Sequence, residues 1–262
     1  NVVDKILSYY QSDSFGDWRN NIALIADDID ENSDRTLQSG FEEVADSIKK
    51  YKPILNINII YADAFKQENS SGGERYPDVK NAITNAMEKG VLAFDYFGHG
   101  GEDGLALERI LEIPQIQGFN NFNTLPLFIT VTCEFSRFDN PLRDTAGEQL
   151  FLNPNGGAVS MITTTRDVFI FLGETFNKEL AKYVFDFDNS DDSIAANLIK
   201  TKNETSSNQR FFIYFFGDPA MKLAIPKPDI RITKVNDVDI TQPIDALKAL
   251  SRIKLEGIVS DN

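Results

Sequence analysis

Short apolar runs alternate with longer amphipathic segments through most of this chain, and that alternation restricts the fold more than any other feature. NIALIAD (21–27), LNINIIYAD (55–63), VLAFDYFG (91–98), PLFITVTC (126–133) and GGAVSMITTT (156–165) each read as a buried strand. Between the first two, SGFEEVADSIKKY (39–51) sets Phe41, Val44, Ala45 and Ile48 at the i, i+3, i+4, i+7 spacing of one helix face. YPDVKNAITNAMEKG (76–90) is a second helix, with Pro77 in its first turn and Gly90 to stop it. Further helices are expected over 142–152, 170–185 and 192–201, and the opening NVVDKILSYY is itself helical. Strands that are apolar throughout, joined by helices, predict a mostly parallel sheet covered on both faces. The fold class is α/β.

Two segments break the alternation. KQENSSGGER (66–75) is polar and rich in Gly and Ser, and is expected to form a mobile surface loop. IPKPDIRITKV (225–235) has two prolines at alternate positions and then an alternating strand, which reads as a linker into a separate β unit. The expected division is therefore an α/β domain over 1–226 and the start of a β domain over 227–262. There is no initiator Met and no signal-peptide pattern, so the chain is expected to be a piece of a longer protein.

Composition removes several functions. Forty acidic against 26 basic residues leave a net charge of −14, which opposes nucleic acid and anionic membranes alike. One cysteine excludes an internal disulfide and a thiolate zinc site, and one histidine with carboxylates makes a poor zinc cluster. No metal site is expected from these residues.

The same two residues carry the chemistry. His99 follows an apolar run in FDYFGHGGED, and Cys133 ends another, 34 residues later. In an open parallel sheet, ligands bind beyond the carboxyl ends of the strands. An imidazole and a thiol that end neighbouring strands share that crevice, where one can take the other's proton before attack on a carbonyl carbon. Gly100 and Gly101 let backbone N–H groups approach a substrate, and these with the N–H of Cys133 can bind an oxyanion. A lone Cys ending an apolar strand is in most proteins inert, and a lone His among glycines often only caps a helix. Finding both at the ends of consecutive strands favours chemistry.

VLAFDYFGHGGEDG around His99, PLFITVTCEFSRFDN around Cys133, GEQLFLNPNGGAVSMITTTRD and IYFFGDPAMKL occur in an order that resembles the gingipain family of caspase-like cysteine peptidases. Within it the chain is most similar to PorU-type sortases of the type IX secretion system. The resemblance covers about residues 15–226 and implies a caspase-like three-layer sandwich followed by the start of an immunoglobulin-like β domain. It implies His99 as catalytic histidine, Cys133 as nucleophile, and Gly100 and Cys133 as backbone oxyanion donors.

Further expectations follow from the resemblance. Such enzymes act at the outer-membrane surface of Gram-negative bacteria, beside other components of the secretion system. They remove the C-terminal signal domain of secreted cargo proteins and can join the new carboxyl end to an amine of anionic lipopolysaccharide. No nucleic acid and no organic cofactor are implied. Gingipains bind calcium, and the acidic run DDIDENSD (27–34) invites that idea while lacking an EF-hand pattern. A carboxylate should orient the histidine; Asp27, Asp28, Asp30, Glu42 and Asp63 are candidates that no motif distinguishes. Thr165, Arg166 and Val168, after the fifth strand, are candidates for a substrate-pocket wall; Arg166 is equally a plain surface charge. If His99 lowers the pKa of Cys133, the thiol should react quickly near neutral pH. Two other readings stay open at this point: a non-catalytic module of a secretion complex, and an acyl-transfer enzyme for small thioesters.

Overall fold

Four of the five apolar runs are buried almost from end to end, as strands covered on both faces must be. The computed structural model describes residues 1–261. Its main sheet contains β1 (Asn21–Ala26), β2 (Asn56–Tyr61), β3 (Ala93–Phe97), β4 (Leu127–Val131), β5 (Ser160–Thr164) and β6 (Ile213–Phe216), in the order β6-β5-β4-β3-β1-β2. The first five run parallel, and β6 pairs antiparallel with β5.

Alternate residues of each strand serve opposite layers. Phe94, Tyr96, Phe128 and Met161 join Val79 and Ile83 of α3 (Pro77–Lys89), Ile116 of α4 (Ile113–Gln117) and Leu150 of α5 (Ala146–Leu152) in one core. Phe97 faces the other way, its ring edge-on to Phe41 of α2 (Arg35–Tyr51) with centroids 6.0 Å apart. α2 packs on α6 (Ile170–Val184), and α6 on α7 (Ile194–Glu204). Burial of one such ring contributes about 1.5–3 kcal/mol, which is why the strand pattern pins both layers at once. The result is the three-layer α/β/α sandwich expected from the sequence.

The structure departs from the sequence reading in three places. β2 is an edge strand with much of its length exposed, because it has a neighbour on one side only. Within the polar segment 66–75, residues 68–70 and 73–75 pair as a short antiparallel hairpin in place of an irregular loop. β6 was not among the five expected strands; IYFF is too short to stand out from the surrounding sequence.

The chain divides at Ala224/Ile225. The second unit is a three-stranded antiparallel sheet of β7 (Pro228–Val235), β8 (Val238–Asp239) and β9 (Leu255–Asp261), in the order β8-β7-β9, with a bulge between Ile232 and Lys234.

In the main sheet the chain leaves β1 toward β2 on one side and returns to β3 on the other. Such a reversal opens a crevice beyond the carboxyl ends of β1 and β3, the usual place for a site in this architecture.

Candidate active site

His99 and Cys133 meet through strand register. β3 and β4 pair with Ala93 opposite Leu127 and Phe97 opposite Val131. The same 34-residue offset relates His99 to Cys133, each two residues beyond its strand. Both side chains line one cleft of about 530 Å³. Ser33, Phe97, Gly98, Val131, Val168, Phe169, Ile170 and Phe171 complete its wall, and none of these is charged.

The loop carrying His99 is held by its backbone. Its N–H donates to Asp27 Oδ2 at 2.8 Å, and its carbonyl accepts from Tyr96 Oη at 2.7 Å. A Cβ on Gly98 would lie 2.5 Å from both Asp27 Cβ and Tyr96 Oη, so this approach requires glycine. A Cβ on Gly100 would lie 2.8 Å from Thr132 Oγ1, which shows how closely the histidine loop passes the residue before Cys133. Gly100 and Cys133 therefore sit on one edge of the sheet. Farther along, Glu102 anchors the loop to the segment after Cys133. It accepts two hydrogen bonds from Asn140 and lies 3.5 Å from both Arg137 and Arg143.

The imidazole has a carboxylate beside it. Asp34 Oδ1 lies 3.5 Å from His99 Nε2, and Asp34 is 1% exposed whereas the His99 side chain is 43% exposed. Asp34 ends the turn before α2 and is itself fixed, since Oδ2 accepts the Glu31 N–H at 2.7 Å. A carboxylate placed so can hold the ring and stabilise the imidazolium formed when His99 accepts a proton. None of the five acids weighed from sequence takes this place. Asp27 holds the His99 backbone, Asp28 accepts from Tyr76 Oη, Glu42 from Tyr61 Oη and Asp63 from Gln38, while Asp30 is exposed. Asp34 belongs to the acidic run 27–34; its signal was an acid opening the helix that follows the strand next to the histidine strand.

Cys133 stands where the chain turns sharply, with Glu134 in the left-handed region at φ +50°. Its Sγ lies 3.8 Å from the Val168 carbonyl. Burial pushes the thiol pKa above its usual value, the Val168 contact opposes this, and the nearby Asp167 and Glu134 carboxylates add to the rise. These surroundings favour the protonated free thiol, so the condition set from sequence for fast reaction near neutral pH, a pKa lowered by His99, is not met by these neighbours. Attack on a carbonyl then requires His99 to take the proton during the reaction.

The three candidate wall residues have different surroundings. Val168 lines the cleft and offers its carbonyl to the thiol. Thr165 is buried, with its N–H and Oγ1 both directed to the Phe212 carbonyl. Arg166 forms a two-pronged pair with Asp139 at 2.9 and 2.5 Å. Neither of the last two lines the cleft among the described residues. Phe169, which ends the segment 163–169 expected from sequence to form one pocket wall, and Phe171, missed from sequence, are 72% and 73% exposed and form its apolar rim. Three buried carboxylates, Asp27, Asp28 and Glu108, converge nearby and are the group able to hold a metal ion among the described residues.

The profile of peptidase family C25 matches residues 1–224. No curated protein sequence matches the chain. Among solved structures it is similar to the Arg-specific cysteine proteinase gingipain R (RgpB), with a TM-score of 0.67 and 15% identity over 88% of this chain and 54% of that one. It is similar also to the complex of Porphyromonas gingivalis RgpB pro- and mature domains, at 0.65 and 15% over 88% and 56%. A third structure, described as a protease, gives 0.61 and 17% over 89% and 55%. At these identities the structures establish a shared fold. The chain spans about half the length of each.

Proposed function

The chain belongs to peptidase family C25, and from that premise we propose that it is a cysteine endopeptidase using Cys133 as nucleophile and His99 as general base. The observation that carries this reading is the register that sets these two residues side by side in one cleft, with the buried carboxylate of Asp34 behind the imidazole. His99 removes the Cys133 proton as sulfur attacks the scissile carbonyl, and the backbone N–H groups of Gly100 and Cys133 receive the oxyanion. Protonated His99 then passes its proton to the leaving amine, which departs and leaves a thioester on Cys133.

The cleft supports a preference for apolar substrate side chains. Phe97, Val131, Val168, Phe169, Ile170 and Phe171 offer no carboxylate to a lysine or arginine. One solved relative is named Arg-specific; that specificity is not extended to this chain.

The finer part of the proposal is sortase action. The thioester is resolved by water or by an amine, and a cleft with an exposed rim at Phe169 and Phe171 admits either. In this reading the substrates are secreted cargo proteins bearing a C-terminal signal domain. The amine belongs to anionic lipopolysaccharide, and the enzyme works with other secretion components at the outer-membrane surface. Among the described residues no helix is long and apolar enough to cross a membrane. The test is incubation with a cargo C-terminal domain, with and without a small amine, and mass spectrometry of the new terminus. A free acid that shifts toward amide as amine rises supports sortase action. Free acid at every amine concentration leaves a hydrolase, and no cleavage by wild type removes the proposal.

A further inference from the structure

Resting on the peptidase reading above, we infer that Arg109 and the cleft it lines hold the substrate segment that follows the scissile bond, and select acidic side chains in it. The first observation is a second cleft, of about 680 Å³, along the glycine-rich loop. Gly100, Gly101, Gly104, Leu107, Arg109 and Ile113 are among its walls, and the residue it shares with the cleft of Cys133 is His99. The imidazole therefore stands between an apolar cleft that holds the thiol and a second cleft, with charged walls, that does not.

The reaction assigns the two sides. Sulfur bonds to the carbonyl carbon, and as the C–N bond breaks the His99 imidazolium gives its proton to the departing nitrogen. That nitrogen must lie within hydrogen-bond reach of the ring. The acyl part stays on Cys133 in the apolar cleft, while the chain that follows the nitrogen leaves from the imidazole side. The second cleft begins there, with Gly100 beside His99 in its wall.

Charge decides what this cleft takes. Its charged lining residues are Glu102, Asp103, Arg109 and Glu112. Each acid already has a cation: Arg137 and Arg143 for Glu102, Arg143 for Asp103, and Lys80 for Glu112. Arg109 is exposed, and its guanidinium has no hydrogen bond or ion pair among the described residues. A guanidinium pairs a carboxylate through two parallel hydrogen bonds, so aspartate or glutamate is the side chain that fits it.

The backbone gives a second, independent observation. The Arg109 N–H donates to the Ala106 carbonyl at 3.3 Å, and the Ala106 N–H donates to the His99 carbonyl at 2.9 Å. The turn is thus tied to the catalytic residue, beside the path of the leaving segment. Arg109 sits in the left-handed region at φ +57°, which glycine or asparagine adopts more easily. Arginine at this position serves its side chain and not the turn.

The test is a proteome-derived peptide library cut by the full chain, with Cys133→Ala as the blank and cleavage sites read by mass spectrometry. Wild type should enrich Asp and Glu over Asn and Gln by about 3- to 10-fold within the first positions after the cut, between an exposed ion pair and a buried charged hydrogen bond. The enrichment should shrink toward 1 as salt rises to about 1 M. Arg109→Asn, which suits the left-handed backbone, should bring it to about 1 at any salt. Arg109→Lys should restore part of it, and Arg109→Glu should turn it toward Lys and Arg, so the set does not depend on one variant folding. Cleavage by wild type without acidic enrichment, or equal enrichment in wild type and Arg109→Asn, would overturn this inference and leave the peptidase reading standing. No cleavage beyond the Cys133→Ala blank would remove that reading and this inference together.

Discussion

Replacing Gly98 by alanine tests how the catalytic loop is held. The added methyl would lie 2.5 Å from Asp27 Cβ and 2.5 Å from Tyr96 Oη, distances real carbons do not sustain. Neither neighbour can retreat without cost, since one holds the His99 N–H and the other its carbonyl. Overpacking of this kind costs about 1–3 kcal/mol. Loss of the two loop hydrogen bonds adds about 1 kcal/mol each. With roughly 2–4 °C of Tm per kcal/mol at this size, the sum of about 3–5 kcal/mol predicts a fall of roughly 6–20 °C. A displacement of His99 by about 1 Å should also lower kcat/KM by about 10²-fold. Gly101→Ala is the control, because its Cβ meets nothing within 4 Å; its stability should stay within about 0.5 kcal/mol of wild type. Thermal unfolding followed by circular dichroism, with cleavage of a peptide carrying an apolar residue, reads both effects. Wild-type Tm and activity in Gly98→Ala would refute this account of the loop.

Other perturbations separate the remaining parts. Asp34→Asn keeps an oxygen for the Glu31 N–H but removes the charge beside His99; stability should change by less than about 1 kcal/mol while kcat/KM falls by about 10- to 10²-fold, as steady-state kinetics would show. Asp95, buried in β3 with Oδ1 unpartnered, has its pKa pushed well above the ordinary carboxylate range by burial. The folded chain therefore holds a proton that the unfolded chain releases above about pH 4, so Asp95 costs stability as pH rises from there. The Tm advantage of Asp95→Asn should accordingly be smallest near pH 4 and grow toward neutrality in a melting series. Iodoacetamide labelling of free Cys133 should keep climbing with pH to its ordinary value of 9.0 and beyond, since the thiol is raised above it; a plateau near neutrality would contradict that protonation state.

The sandwich was legible because its information is local. Runs such as VLAFDYF and PLFITVT are strands by apolar content alone, and Phe41, Val44 and Ile48 mark a helix face by spacing. The pairing of His99 with Cys133 was legible for a related reason: both end such runs, and parallel strands bring like ends together. Asp34 was hidden because four other acids, Asp27, Asp28, Asp30 and Glu31, share the run 27–34 with it, and only the path of the turn before α2 selects it. Glu108 was hidden more deeply. It joins Asp27 and Asp28 across 80 residues of chain, through a loop whose course no periodicity records. The protonated thiol depends on burial and on Asp167 and Glu134, which a residue list places beside Cys133 without saying how much water they exclude.

The central claim is that His99 activates Cys133. A peptide ending in an apolar residue and carrying a thiol-directed electrophile tests it most directly, read by intact mass over time. Cys133 is the chain's one thiol, so wild type should gain a single adduct there and Cys133→Ala none. His99→Ala, with its thiol present, should form the same adduct about 10²–10⁴ times more slowly. Equal rates in wild type and His99→Ala would contradict the claim.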